Sequence, residues 1–186
     1  VLGFAQFIKI VDGETVLISN GFAPTFGAAW DSNPYAAQWS LVEGDPPTNT
    51  KEVVMDVVTA ENHDFSVGDR VTVLAGATPA SFTIVGIAEF ANVGAPGGAT
   101  FALFEFSTAQ KLLDSRGEVD LINVVIENNF DINDVKTEIT NLDSENLNVI
   151  NAQEAAAEQA DSIKQGLDFF NTILNVFALS LIHISE

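Results

Sequence analysis

The chain has 186 residues, enough for one compact domain or two small lobes sharing a core, and 47% of them are hydrophobic, which excludes disorder throughout. Its 26 Asp and Glu against 7 Lys and Arg give a formal net charge of −19, a field that repels phosphate backbones and excludes nucleic-acid binding. Cysteine is absent, which excludes a disulfide scaffold, thiolate metal sites and a cysteine nucleophile.

Val1-Leu2-Gly3-Phe4 carries neither the charged start nor the long apolar stretch of a signal peptide, so export would require an upstream segment. Phe7 to Val11 and Thr15 to Ile18 flank Asp12-Gly13, the dipeptide suited to a two-residue hairpin turn. From Gly21 to Pro47 the chain reads as loop, with four prolines and both tryptophans, and Trp39 to Val42 as a short strand within it. Val53 to Val58 reads as a strand leading into the polar Glu61-Asn62-His63-Asp64. Arg70 to Leu74 and Phe82 to Ile87 follow as strands joined by Gly76-Ala77-Thr78-Pro79, a spacing that predicts a small antiparallel lobe or partial barrel. Gly86 inside a strand predicts a bulge or a close backbone approach.

After the connector Gly94 to Gly98 the pattern changes. Thr100 to Phe106 reads as a strand, Ser107 to Gln110 as a capping box opening a helix through Leu113, and Leu121 to Glu127 as another strand. Asp134 to Leu142 reads as a helix capped by Asp131 or Asn133, and Leu147 to Ile150 as a third strand. This alternation predicts an α+β (α/β) fold.

The last element is the most informative. Asn151 with Glu154 three residues on forms a cap, and apolar residues recur at Ala156, Ala160, Ile163, Leu167, Phe170, Leu174, Phe177 and Leu181. Their spacing of four and three is a heptad seam that wants a partner helix, so Ile163, Leu167, Phe170, Leu174 and Phe177 are the candidate packing residues. Beyond Asp168 the remaining faces turn apolar as well, through Phe169, Ile173, Val176 and Leu179. A helix from Ala152 to Ile182 would reach about 45 Å, more than a domain of this size needs. The expectation is a stalk entering a truncated membrane span; the alternative is a buried core helix, because the run is shorter than the roughly 20 apolar residues of a full span. The tail at 182–186 ends the run abruptly and reads as foreign to it, so His183 is given no role.

The chemistry-bearing residues do not assemble into a catalytic, cofactor-binding or metal pattern. His63 and Asp64 with Glu61 and Asp69 come nearest, but zinc needs three or four converging ligands, and no Gly-x-Ser-x-Gly elbow accompanies the histidine. Gly94 to Gly98 lacks the Lys-Ser/Thr ending of a phosphate loop and leads into a strand. Asp131-Ile132-Asn133 begins like a calcium loop, yet Val135, Lys136 and Leu142 stand where a ligand, the turn glycine and the bidentate glutamate belong.

Leu41-Val42-Glu43-Gly44-Asp45-Pro46-Pro47, Glu52 to Asp56, Ala60, Ser66-Val67-Gly68-Asp69-Arg70-Val71-Thr72-Val73 and Phe82 to Ile87 follow one another in an order that resembles the MacB-like periplasmic core domain of FtsX-like ABC transporter permeases. Phe101 to Leu113, Val119 to Glu127 and the final helix continue the resemblance over nearly the whole chain. The resemblance implies a porter-like α/β lobe at about 1–40 and 100–160 with an inserted antiparallel β lobe at about 41–99, and a C-terminal stalk helix leading to a membrane span from 167. It further implies a non-enzymatic domain on the extracytoplasmic side of the cell membrane, without cofactor. Its partners would be an ABC ATPase subunit or domain, a second permease copy, and an extracytoplasmic protein or lipophilic cargo. Two readings from other classes stand beside it: a secreted hydrolase built on His63, and an acidic cation-binding or adhesion module.

Overall fold

The computed structural model describes residues 1–11, 14–33, 35, 37–75, 79–91, 94–142, 147–155 and 157–158. They fall into two compact units, Val1–Val125 and Ile126–Glu186.

The first unit is a mixed sheet with two short helices. Its strands are β1 (Leu2–Phe4), β2 (Gln6–Val11), β3 (Glu14–Ile18), β4 (Thr25–Ala29), β5 (Trp39–Gly44), β6 (Glu52–Asp56), β7 (Arg70–Leu74), β8 (Ala80–Phe90) and β9 (Thr100–Phe104). The order is β1-β4-β9-β6-β8-β7-β2-β3, with β5 joined to β8. β4 runs parallel to β9 and β6 parallel to β8, while the other pairs are antiparallel. β8 is long enough to pair β7 from Ala80 to Thr83 and β5 from Gly86 to Phe90. Strands from 41–99 therefore share one sheet with β1, β4 and β9.

Period-two alternation sorts the central strands between two cores. Val53 and Met55 of β6 join Ala102 and Phe104 of β9 in the larger cluster, with Phe7, Ile18, Val71, Val73, Phe82 and Ile84. Val54 and Leu103 point the other way, with Ala28 and Ala88, under Trp30, Trp39 and Val85. The unbroken apolar run Val53-Val54-Met55 is thus a strand buried on both faces. Phe82 and Phe104 meet edge-on at 4.9 Å between ring centres.

The expected hairpin forms, with Phe7 opposite Ile18 and Val11 opposite Glu14; Asp12-Gly13 itself lies outside the described residues. Four expectations need correction. Val57 and Val58 are not strand: β6 stops at Asp56, whose carboxylate accepts the Thr59 amide at 2.8 Å and starts α1 (Val57–Asn62). The next strand likewise ends at Phe104, because Glu105, not Ser107, caps α2 (Phe106–Leu112). Glu105 takes the amides of Ser107 and Thr108 at 2.9 and 3.0 Å, and the Ser107 hydroxyl is itself donated to Glu105 at 2.6 Å, so it is not free to cap. β4 arises inside the expected loop, held by parallel pairing with β9; at its Gly27 a Cβ would sit 3.4 and 3.3 Å from Phe104 and Leu113. Neither 121–127 nor 147–150 is a strand, since among the described residues no backbone completes a ladder with them. Leu121 and Ile122 are left 65% and 66% exposed.

In the second unit α3 (Ile132–Leu142) starts at Asp131, whose Oδ1 accepts the Asn133 amide at 2.8 Å and the Asp134 amide at 3.4 Å. The expected cap at 151 is present and reciprocal: Glu154 N–H donates to Asn151 Oδ1, and Asn151 N–H to Glu154 Oε2, both at 2.9 Å. Lys136 reaches the same carboxylate at 2.6 Å. Residues 152–155 and 157–158 are helical. Ile163, Leu167, Phe170, Leu174 and Phe177 lie outside the described residues, and among the described ones no helix is long and apolar enough to cross a membrane.

Candidate interaction surface

The His63 segment is a joint between elements. α1 ends there, and the backbone carbonyls of His63 and Asp64 accept Lys9 Nζ from β2 at 3.0 and 2.8 Å. The ammonium also sits 4.3 Å over the Phe65 ring. His63 Nε2 lies 3.1 Å from the Ser19 carbonyl, and Asp69 accepts the Ser66 amide at 2.9 Å. These contacts fix a helix end to the β2–β3 hairpin and bring no serine hydroxyl to the imidazole. Among the described residues no group of three His, Asp or Glu could hold a metal.

Sequence reasoning passed over a buried polar node on the other end of α1. Asp56 accepts the Phe101 amide at 2.7 Å as well as that of Thr59, and so ties β6, α1 and β9 together. Thr59 Oγ1 donates to Thr100 Oγ1 at 3.2 Å and accepts from Asn20 Nδ2 at 2.9 Å. Burial pushes the Asp56 carboxyl above its ordinary value, against the pull of its amide hydrogen bonds. The signal was available: an Asp three residues before a Thr, at the end of an apolar run, is an N-cap pattern.

Gly94 to Gly98 closes the path from β8 to β9, with the Phe90 amide donating to the Gly94 carbonyl at 2.6 Å. It forms a single 3-10 turn at Pro96–Gly98 before β9, with Gly97 in the left-handed region, and is too short to present a helix N-terminus to an anion.

The second sheet face carries a run of rings. Phe4 meets Phe26 at 5.1 Å, Phe26 meets Phe101 at 5.3 Å, Phe101 meets Trp39 at 5.2 Å, and Trp39 meets Phe90 edge-on at 5.4 Å. Such offset and tilted pairs contribute about 0.5–1.5 kcal/mol each beyond their buried area. The run joins β1, β4, β9, β5 and β8, and it opens to solvent at Phe4, which is 78% exposed. Beside it a cleft of about 310 Å³ is lined by Trp30, Asp31, Ser32, Ala37, Trp39 and Ser40. This face, unlike the His63 joint, offers side chains to a partner.

Against known proteins, the sequence model described as MacB-like periplasmic core domain matches residues 5–142. No curated protein matches the chain.

Proposed function

Because the chain belongs to the MacB-like periplasmic core domain family, the extracytoplasmic domain of ABC transporter permeases, we propose that it relays ATP hydrolysis by a cytoplasmic ATPase into movement of the outer domains. The output is export, extraction or signalling across the membrane. The match over residues 5–142 carries this reading. The reciprocal Asn151–Glu154 cap supports its mechanical part, because it opens a helix at the start of the heptad pattern.

In this proposal the seam Ile163, Leu167, Phe170, Leu174 and Phe177 packs on a second helix of the permease, and residues from 167 lead into the membrane. The porter-like lobe takes about 1–40 and 100–160, and the inserted lobe about 41–99. A second permease copy and an ATPase subunit or domain are the obligatory partners; an extracytoplasmic protein or a lipophilic cargo is the client. Chemistry at the outer domain is not required, since a lever acts through rigid elements with two arrangements.

The test uses the full-length permease with its ATPase in lipid nanodiscs. A spin label at Thr50→Cys, an exposed position in a chain without cysteine, reports the distance between the two outer domains. The distance distribution is expected to shift between the nucleotide-free and ATP-trapped states. An identical distribution in both states overturns the proposal.

A further inference from the structure

The chain has two tryptophans, Trp30 and Trp39, and both line the same cleft. Trp30 directly follows β4, where its amide donates to the Phe104 carbonyl at 2.7 Å and continues the β4–β9 pairing. Trp39 opens β5 and is wedged between the Phe90 and Phe101 rings. Both indoles are thus held by the sheet and not by a loose loop. Both remain partly exposed while packing on the smaller core.

The polar part of the lining is Asp31, Ser32 and Ser40, with no Lys or Arg. Asp31 is half-buried; its Oδ1 accepts the Asn33 amide at 2.9 Å, which sets the orientation of the carboxylate. Indole faces attract cations through the ring quadrupole, and an adjacent carboxylate adds a full negative charge. The surrounding field has the same sign, from a net charge of −19. An anion is repelled here. A small metal ion would seek several charged or strongly polar oxygen ligands, whereas the lining supplies one carboxylate and two serine hydroxyls beside the two indoles. At about 310 Å³ the cleft is at the small end of ligand sites.

We propose that the Trp30–Trp39 cleft binds an organic ammonium cation, specifically a quaternary ammonium group, with Asp31 as its counter-charge. The group could reach it as a free solute or on a lipid headgroup. This site is independent of the force-relay reading: it rests on the first unit alone, and its test needs no ATPase.

With both tryptophans in the cleft, intrinsic emission of the intact chain reports on it directly. Choline is expected to give a saturable change with a dissociation constant of about 1–10 mM, in keeping with a few shallow cation–π contacts. Its neutral isostere 3,3-dimethylbutan-1-ol and sodium chloride at matched ionic strength are expected to give none. Asp31→Asn should weaken choline about fivefold. Should that variant fail to fold, Trp30→Leu replaces it, with loss of the saturable response read from Trp39. A response to phosphatidylcholine vesicles as well as choline supports the site with a lipid headgroup as one source. A response to choline alone supports it with a free ligand. An equal response to the neutral isostere, no response to choline, or unchanged affinity in the folded variant overturns it.

Discussion

Two carboxylates start the two helices of the first unit, and their surroundings shift them in opposite directions. Glu105 sits near the surface with four donated bonds from Ser107 and Thr108, which hold its carboxyl down at about 2. Asp56 makes comparable amide bonds, but its burial dominates and raises it. The consequences for stability have opposite signs. A depressed carboxyl contributes stability above its unfolded value, roughly 4.3, and loses it as pH falls toward the folded value. A raised carboxyl contributes most below its unfolded value and loses that contribution as pH rises. Glu105→Gln keeps one acceptor and removes the charge at the start of α2. It should destabilise the protein by about 0.5–1 kcal/mol near pH 7, at the low end of capping effects because solvent screens the carboxylate. That difference should shrink steadily between about pH 4.5 and pH 2.5. Urea unfolding of both proteins across this range measures it, and a difference constant with pH would show that charge plays no part in the cap.

At the scale of elements, β5 and β8 meet at a pair of glycines, Gly44 opposite Gly86, beside a register shift between Leu41 and Glu43. Gly44 has a φ of +76°, and a Cβ there would run into the Val85 carbonyl. A Cβ on Gly86 would lie 2.6 Å from the Asp45 carbonyl oxygen, which is backbone and cannot swing aside. Gly86→Ala should therefore cost about 2–4 kcal/mol, whereas Gly21→Ala, positive in φ but with open space around it, should cost about 1 kcal/mol. Chemical denaturation of the two variants makes the comparison, and equal losses would remove the close approach as the cause. Gly86 was legible in the sequence because a glycine in a β-branched strand has few other uses. The β2–β3 hairpin, β7 and the Asn151 cap were legible for similar local reasons. β4 was not: Thr25-Phe26-Gly27-Ala28-Ala29 has weak strand propensity, and its place is set by parallel pairing with β9, over 70 residues away. The reverse error came at Leu121 to Glu127, where β-branched composition suggests a strand but a ladder partner decides. Nor could the Trp30–Trp39 cleft be read from the chain, since it depends on β5 crossing to β8 and bringing two loop-flanking indoles together.

For the whole molecule, the excess of acid is the property that no single contact expresses. Among the described residues the one ion pair between side chains is Lys136 with Glu154. Most of the described carboxylates therefore have no cationic side chain paired with them, and the compact state concentrates their mutual repulsion. Unfolding spreads them apart, so repulsion favours the unfolded chain, and salt should remove part of that advantage. At about 20 mM salt the Debye length exceeds the distance between neighbouring surface charges; at about 300 mM it falls below 10 Å. Raising sodium chloride between these values should raise the melting temperature by about 2–4 °C, equivalent to roughly 1 kcal/mol. The repulsion is a property of the field and not of a ligand cage, so calcium chloride at the same ionic strength should give the same shift. Thermal unfolding in the two salts checks both statements. A larger rise in calcium would mean that carboxylates converge on a bound ion, since only a ligand that prefers the folded state adds stability beyond screening.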